Sequence, residues 1–331
     1  MELIEELKNT WRTFRGGANN NGWQLIPVTS FKNCYLMAGM ELPGSKEGVL
    51  FNFLGANIPR VELLPNGKGF NLRPILIDGK SWISLTKTEE GIAELFISML
   101  ENIFKLLQET DYKNGDTLLH LFLDRVAAWQ DFMSKGLKPL SIESQTGLYG
   151  ELTLLKNLLD LGLKEEAVKT WDGPLNGLQD FHIGFGAIEV KSTISQDGFI
   201  AKIGSLDQLS DSVYKPIYLV GQKLAISPNG KTLPALVHEI QEQLVYDLIL
   251  KNSFDSRLMR YGYIEEHSSA YDRNLILIDS LMFEVNGDFP KLTPELVNPV
   301  IRSAKYEIEI SGIPSMQLNL SHILKSFGVN I

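Results

Sequence analysis

Asp180, Glu189 and Lys191 are the residues whose types and spacing come closest to a reaction centre in this chain of 331 residues. Glu189 and Lys191 alternate with Ile188 and Val190. On a strand that alternation turns the two charged side chains to one face and the two apolar ones into the core. A second carboxylate beside Glu189 makes an oxygen site for a hard cation such as Mg²⁺, with Mn²⁺ as a substitute. An ammonium next to those acids offsets the charge that builds on a phosphate under attack. The chemistry these groups suit is metal-assisted cleavage of a phosphodiester.

Whether Asp180 joins them is a question of parity. Gly184, Phe185 and Gly186 separate two short apolar runs, 181–183 and 187–190, and read as a hairpin turn. A loop of even length puts Asp180 and His182 on the face of Glu189 and Lys191. Asp180 is then expected opposite Lys191, and His182 opposite Glu189, where it would orient a water or the phosphate. An odd loop sends Asp180 to the wrong face, because a one-residue slip flips every side chain. The plainer alternative is a hairpin with a solvated charged face.

A third acid comes from a helix expected over 146–161, capped by Ser144 or Thr146. With about 100° per residue, Leu148, Leu154, Leu155, Leu158 and Leu159 fall within about 80° of Glu151. Glu151 therefore sits in the middle of the leucine face. An ionised carboxylate there is costly unless paired or bound to a cation. Either a buried salt bridge, an edge position open to water or the same metal site accounts for it.

The order of these features is a helix with Gly150-Glu151-Leu152, a short strand near Trp171, Asp180, Glu189-Val190-Lys191, then a helical stretch holding Gln208. It resembles the PD-(D/E)xK phosphodiesterase superfamily, the restriction-endonuclease-like fold. More narrowly it is similar to a group of PD-(D/E)xK proteins of bacteria and archaea often encoded beside phage-defence genes. The core likeness covers about 136–245. Gln179 stands where a Pro sometimes precedes the Asp. The resemblance implies Asp180 and Glu189 as Mg²⁺ ligands, Lys191 as the catalytic lysine, and Glu151 as an auxiliary acid and third ligand. Gln208 would contact the substrate or the acids. It leaves the substrate open, since members cut DNA, RNA or neither.

The expected class is therefore α/β (α+β): a restriction-endonuclease-like mixed sheet flanked by helices over 136–252. A strand-rich and helical region, 1–135, precedes it, and a small β-containing extension, 253–331, follows.

Composition restricts the function further. One cysteine, Cys34, rules out an internal disulfide and fits a reducing cytoplasm. No run of about 18 apolar residues is present and the first six residues carry three acids and no base, so neither a membrane span nor a secretory leader is expected. Dinucleotide, Walker A and Gly-x-Ser-x-Gly signatures are missing. The net charge is −9, and 136–245 contains no arginine. Affinity for nucleic acid comes largely from Lys and Arg on phosphates. Lys202, Lys215, Lys223 and Lys231 offer only a modest basic rim, so a DNA-cutting reading calls for a protein partner that supplies the grip. A non-catalytic scaffold or nucleic-acid-binding subunit is the alternative.

Elsewhere, helices are expected over 1–16, 88–108, 116–133 and 234–250. Early strands are expected at 24–28, 35–37, 49–54, 61–64 and 81–85, with Asn66-Gly67 as a hairpin cue. Core strands are expected at 167–171, 181–183, 187–193 and 217–226, with 199–203 extending the sheet. A turn is expected at 228–230 and a helix at 205–212. The C-terminal strands fall at 260–266, 275–285 and 306–310.

Overall fold

The computed structural model describes residues 2–15, 21–110, 113–136, 138–314 and 318–329. The chain divides into two compact units, Met1–Leu137 and Lys138–Ile331.

In the first unit, helix α1 (Glu2–Arg15) precedes strands β1 (Gly22–Phe31), β2 (Cys34–Leu42), β3 (Lys46–Phe53), β4 (Phe70–Ile77) and β5 (Lys80–Lys87). They form one antiparallel sheet in the order β1-β2-β3-β5-β4. Helices α2 (Ala93–Glu109) and α3 (Gly115–Lys135) follow. Phe51 and Phe53 of the sheet pack on Phe122 of α3 at ring distances of 4.7 and 5.3 Å. The expected strand at 61–64 is instead a 3₁₀ turn, Val61–Leu63. Pro59 and Pro65 on either side deny a ladder its donors. The hairpin also closes elsewhere, at Asp78-Gly79 with φ of 47° and 74°, between β4 and β5. An adjacent pair with both φ values positive suits the twist of a tight hairpin. Strand β4 carries Pro74 and lies at the sheet edge, where a missing N–H is tolerated.

The second unit opens with α4 (Ile142–Asp160) and the short α5 (Lys164–Lys169). Strands β6 (Phe181–Ile183), β7 (Gly186–Thr193), β8 (Ile200–Ile203) and β9 (Ile217–Lys231) follow. Then come α6 (Leu233–Gln243), α7 (Leu248–Tyr261), β10 (Leu275–Glu284), β11 (Tyr306–Glu309) and α8 (Leu320–Ser326). The main sheet is mixed, in the order β10-β9-β7-β6, with β7 and β9 parallel. One face packs on leucines of α4 and on α6, α7 and α8, and the other carries Ala187, Leu219 and the small β11-β8 sheet. This is the mixed α/β sheet flanked by helices that was expected. The expected boundary after residue 252 falls inside α7, and β10 pairs with β9 along the same sheet.

Several local expectations fail for identifiable reasons. Helix α4 starts earlier, because Ser141 accepts from Ser144 N at 3.1 Å and is the cap. Residues 167–169 are helical, since Leu163, Ala167 and Val168 are buried at helical spacing and Glu165 pairs with Lys169 one turn on. Trp171 contributes a single bridge to Phe181. The expected turn at 228–230 lies within β9, held by Ser227 N donating to Asn274 O at 3.0 Å. The helix expected over 234–250 is two helices, broken after Gln243 and restarted by the Asp247 cap. Residues 260–261 finish α7 and 265–266 open a 3₁₀ turn, so no strand forms there, and 205–212 are turns rather than a helix. Strand β8 pairs with β11 instead of extending the main sheet.

Gly150 sets how closely α4 can lie on β7. A Cβ there would fall 1.8 Å from Ser192 Oγ and 3.2 Å from Gln222 Oε1. Both atoms are buried without a hydrogen-bond partner. Gly150→Ala is therefore expected to lower stability by roughly 1–3 kcal/mol, as over-packing does. A denaturant midpoint equal to the parent's would contradict this close approach.

Candidate metal and phosphodiester site

The hairpin has an even, two-residue loop, Gly184-Phe185, with Gly184 at φ 56°. Pairing runs Phe181 to Ile188, His182 to Ala187 and Ile183 to Gly186. Continued one step, this register sets Asp180 beside Glu189 rather than opposite Lys191. His182 faces Ala187, not Glu189. The parity is the required one, shifted by one pair.

Strand β6 is only three residues long, so β7 has a free edge beyond Ile188. Asp180 occupies that edge, with Val190 N donating to its Oδ2 at 2.7 Å. Glu189 is 1 % exposed, and Lys191 Nζ donates to its Oε1 at 2.6 Å. Glu189 Oε2 is buried with no partner. Glu151, 7 % exposed on the leucine face of α4, accepts at Oε2 from Trp171 Nε1 at 2.8 Å. A Cβ added to Gly173 would lie 2.7 Å from Glu151 Oε2 and 2.9 Å from Asp180 Oδ1. The acids of helix and hairpin thus converge on one small space, which a glycine leaves open.

Electrostatics follow from three acids sharing that space with one ammonium. Burial pushes Glu151 well above the usual carboxylate range, and the Asp180 charge adds to it against the Trp171 hydrogen bond. Burial also raises Asp180, over the opposing pull of Lys191 and the Val190 N–H. Glu189 is pushed up to about 8 by burial and by Asp180, despite Lys191. Burial alone would lower Lys191, yet Glu189, Asp180 and Glu151 hold it above its ordinary value. Desolvation and like-charge repulsion both favour a proton or a cation here.

His182 and Gln208 are turned to other tasks. His182 shares hydrogen bonds with Asp172 at 2.8 Å and Gln179 at 3.2 Å, and stacks on Tyr214 at 4.1 Å. Gln208 accepts from Gly204 N at 2.7 Å, within its turn. Trp171, Gly173 and Tyr261 were not singled out from the sequence. Tyr261 reaches α4 at Ser144 from 117 positions away, and no local pattern announces such a contact. Of the proposed rim, Lys202, Lys215 and Lys231 pair with Glu143, Asp211 and Glu239. Lys223 donates to Gln196 O.

The donor set suits a hard divalent cation. All the candidate ligands are carboxylate oxygens, and one of them, Glu189 Oε2, is buried and unpartnered. Among the described residues no group of three or more His, Cys, Asp or Glu is arranged to hold a metal. The Lys191 ammonium is the cation beside Glu189 here.

A helix acid, an Asp at a hairpin edge and a Glu-x-Lys strand in a mixed sheet define a PD-(D/E)xK type of protein. Residues 7–311 match the family model described as "Putative PD-(D/E)XK family member" (DUF4420), and the chain belongs to that family. No curated protein and no solved structure gives a significant match. Among the described residues no helix is long and apolar enough to cross a membrane.

The raised acids set a pH dependence. A carboxylate with a raised pKa binds its proton more tightly in the folded chain than in the unfolded one. Its stabilisation is complete below the ordinary value of 4.5 and is lost as pH rises through about 8. Without metal, Glu189→Gln is expected to gain melting temperature relative to the parent as pH goes from about 5 to about 8. A difference that is constant or shrinks over that range would show that Glu189 is not a strained acid.

Proposed function

We propose that the protein is a Mg²⁺-dependent DNA endonuclease, the cutting subunit of a cytoplasmic restriction or phage-defence assembly. The observation that carries this reading is one lysine held among three acids, of which Glu151 and Glu189 are buried and Asp180 is partly so. Such a cluster repels itself without a cation and serves no packing purpose that a hydrophobic group would not serve better. Asp180 and Glu189 would hold the ion, Mg²⁺ or Mn²⁺, with Glu151 as auxiliary. The ion supplies charge neutralisation and a water of lowered pKa.

The protein's own groups do the rest. Lys191 Nζ offsets charge on the scissile phosphate and orients the attacking water. The Val190 N–H fixes Asp180 at the open edge of β7. Trp171 fixes Glu151. His182, tied to Asp172 and Gln179, supports the hairpin beside Asp180.

DNA grip is the weak point of the isolated chain, and a protein partner is the natural source. The four rim lysines all have acidic or backbone partners of their own, and the chain is acidic as a whole. Exposed ion pairs are worth little, so phosphates can compete for these lysines, but with low affinity at physiological salt. The same acidity favours the second reading, a non-catalytic nucleic-acid-binding or scaffold subunit.

Cleavage of plasmid DNA with Mg²⁺ or Mn²⁺ separates the two readings. Lys191→Ala is expected to fold normally and lose at least about a hundredfold in rate, as when a charge-stabilising donor is removed. Asp180→Ala should lose metal binding as well, and Glu151→Gln should cost less than either. A Lys191→Ala variant that cuts like the parent would overturn the assignment of the lysine.

A further inference from the structure

Helix α7 lies outside the acid-and-hairpin motif, yet it packs on the segment around Trp171 and reaches α4. Phe254, Arg257 and Tyr261 stand at spacings of three and four and so share one face. Phe254 packs on the Trp171 ring at 5.9 Å. Arg257 donates from Nε to Trp171 O at 3.0 Å and from Nη2 to Lys169 O at 2.9 Å. Its Nη2 also lies 3.8 Å from Asp172 Oδ1. One guanidinium therefore fixes the strap of chain from Lys169 to Gly173 by its backbone.

That strap is what holds the acids. The Trp171 indole donates to Glu151. Asp172 N and Gly173 N both donate to Asp180 O, at 2.8 and 3.1 Å. Gly173 then leaves open the space that Glu151 and Asp180 share.

Tyr261 completes the arrangement from the other side. Its hydroxyl lies over the stripe Ser144, Gly147 and Glu151 of α4, where side chains three and four apart line up. It reaches Ser144 O at 3.5 Å, and a Cβ on Gly147 would come within 3.1 Å of it. Burial, with the nearby charges of Glu151 and Asp180, drives the phenol well above its usual pKa. The absence of a side chain at Gly147 is what admits the phenol. Helix α7 ends at once after Tyr261, in Gly262 at φ 115°, whose N–H closes on Leu258 O and Met259 O.

We propose that Tyr261 and Arg257 are positioning residues for this site: Tyr261 sets the Glu151 face of α4 through its seat on Ser144 and Gly147, and Arg257 sets Glu151 and Asp180 through the Lys169–Gly173 strap. The part these acids play in catalysis rests on the phosphodiesterase reading above. Their placement by α7 does not.

The test uses the full chain and needs no substrate. Trp171 is one of five tryptophans, and its indole N–H signal in a proton–nitrogen spectrum is assigned with Trp171→Phe. Tyr261→Phe keeps the ring and removes only the hydroxyl, and Arg257→Lys keeps the charge and removes the fork. In both, the Trp171 signal is expected to shift and its exchange with solvent to quicken. Mn²⁺ alone, titrated by calorimetry, is expected to bind about tenfold more weakly, as when a supporting hydrogen bond to a ligand is lost. In cleavage, kcat should fall while KM holds, a split that loss of packing does not give. If both variants keep the parent's Trp171 signal and exchange rate, the proposal is overturned. A parent that binds no Mn²⁺ would sink the metal reading, and the Trp171 signal would still decide the role of α7.

Discussion

Three carboxylates withdrawn from water around a single ammonium are the constraint on which the second unit turns. Burial makes each of Glu151, Asp180 and Glu189 harder to ionise, and each also feels the charge of a neighbouring acid or of Lys191. One lysine cannot neutralise three ionised acids. The metal-free cluster therefore retains at least one proton near neutrality, and a divalent cation relieves the same imbalance by replacing it. A hydrophobic substitute would pack there at lower cost, which is why the arrangement points to chemistry rather than stability.

The surrounding fold is arranged to bring these groups together. Gly150 admits β7 under α4, Gly147 admits the Tyr261 phenol over it, and Gly173 leaves room between the acids themselves. The shortness of β6 matters as much. It exposes the edge of β7 at Val190, and Asp180 takes the hydrogen bond that another strand residue would have taken. The helix acid and the hairpin acids then meet at the sheet edge.

Much of the candidate site was legible because it depends on short-range periodicity. A carboxylate centred on a leucine face, and a Glu-x-Lys whose partner acid is decided by loop parity, are local patterns, and both are present in the structure. The pairing slipped by one step because parity alone does not distinguish a two-residue loop from a four-residue one. What stayed hidden depends on distant or competing partners. Residues 167–169 carry strand-forming Val168, but a buried helical face and an ion pair across one turn win. Pro228-Asn229-Gly230 is a strong turn signal, yet it continues β9, with Ser227 N bonded to Asn274 O just ahead of β10. Trp171, the donor to Glu151, and Tyr261, which reaches α4 at Ser144, belong to segments whose own patterns say nothing of α4. Gln208 was expected on a helix and lies in a turn that its own side chain closes.

The proposal that a divalent cation displaces a proton among these acids is tested most directly by calorimetric titration of Mn²⁺ into the metal-free protein. Repeating it near pH 7 in buffers of different ionisation enthalpy counts the protons released on binding. The account predicts saturable binding with release of about one proton, both lost in Asp180→Ala. Binding without proton release, or release that persists in Asp180→Ala, would contradict it.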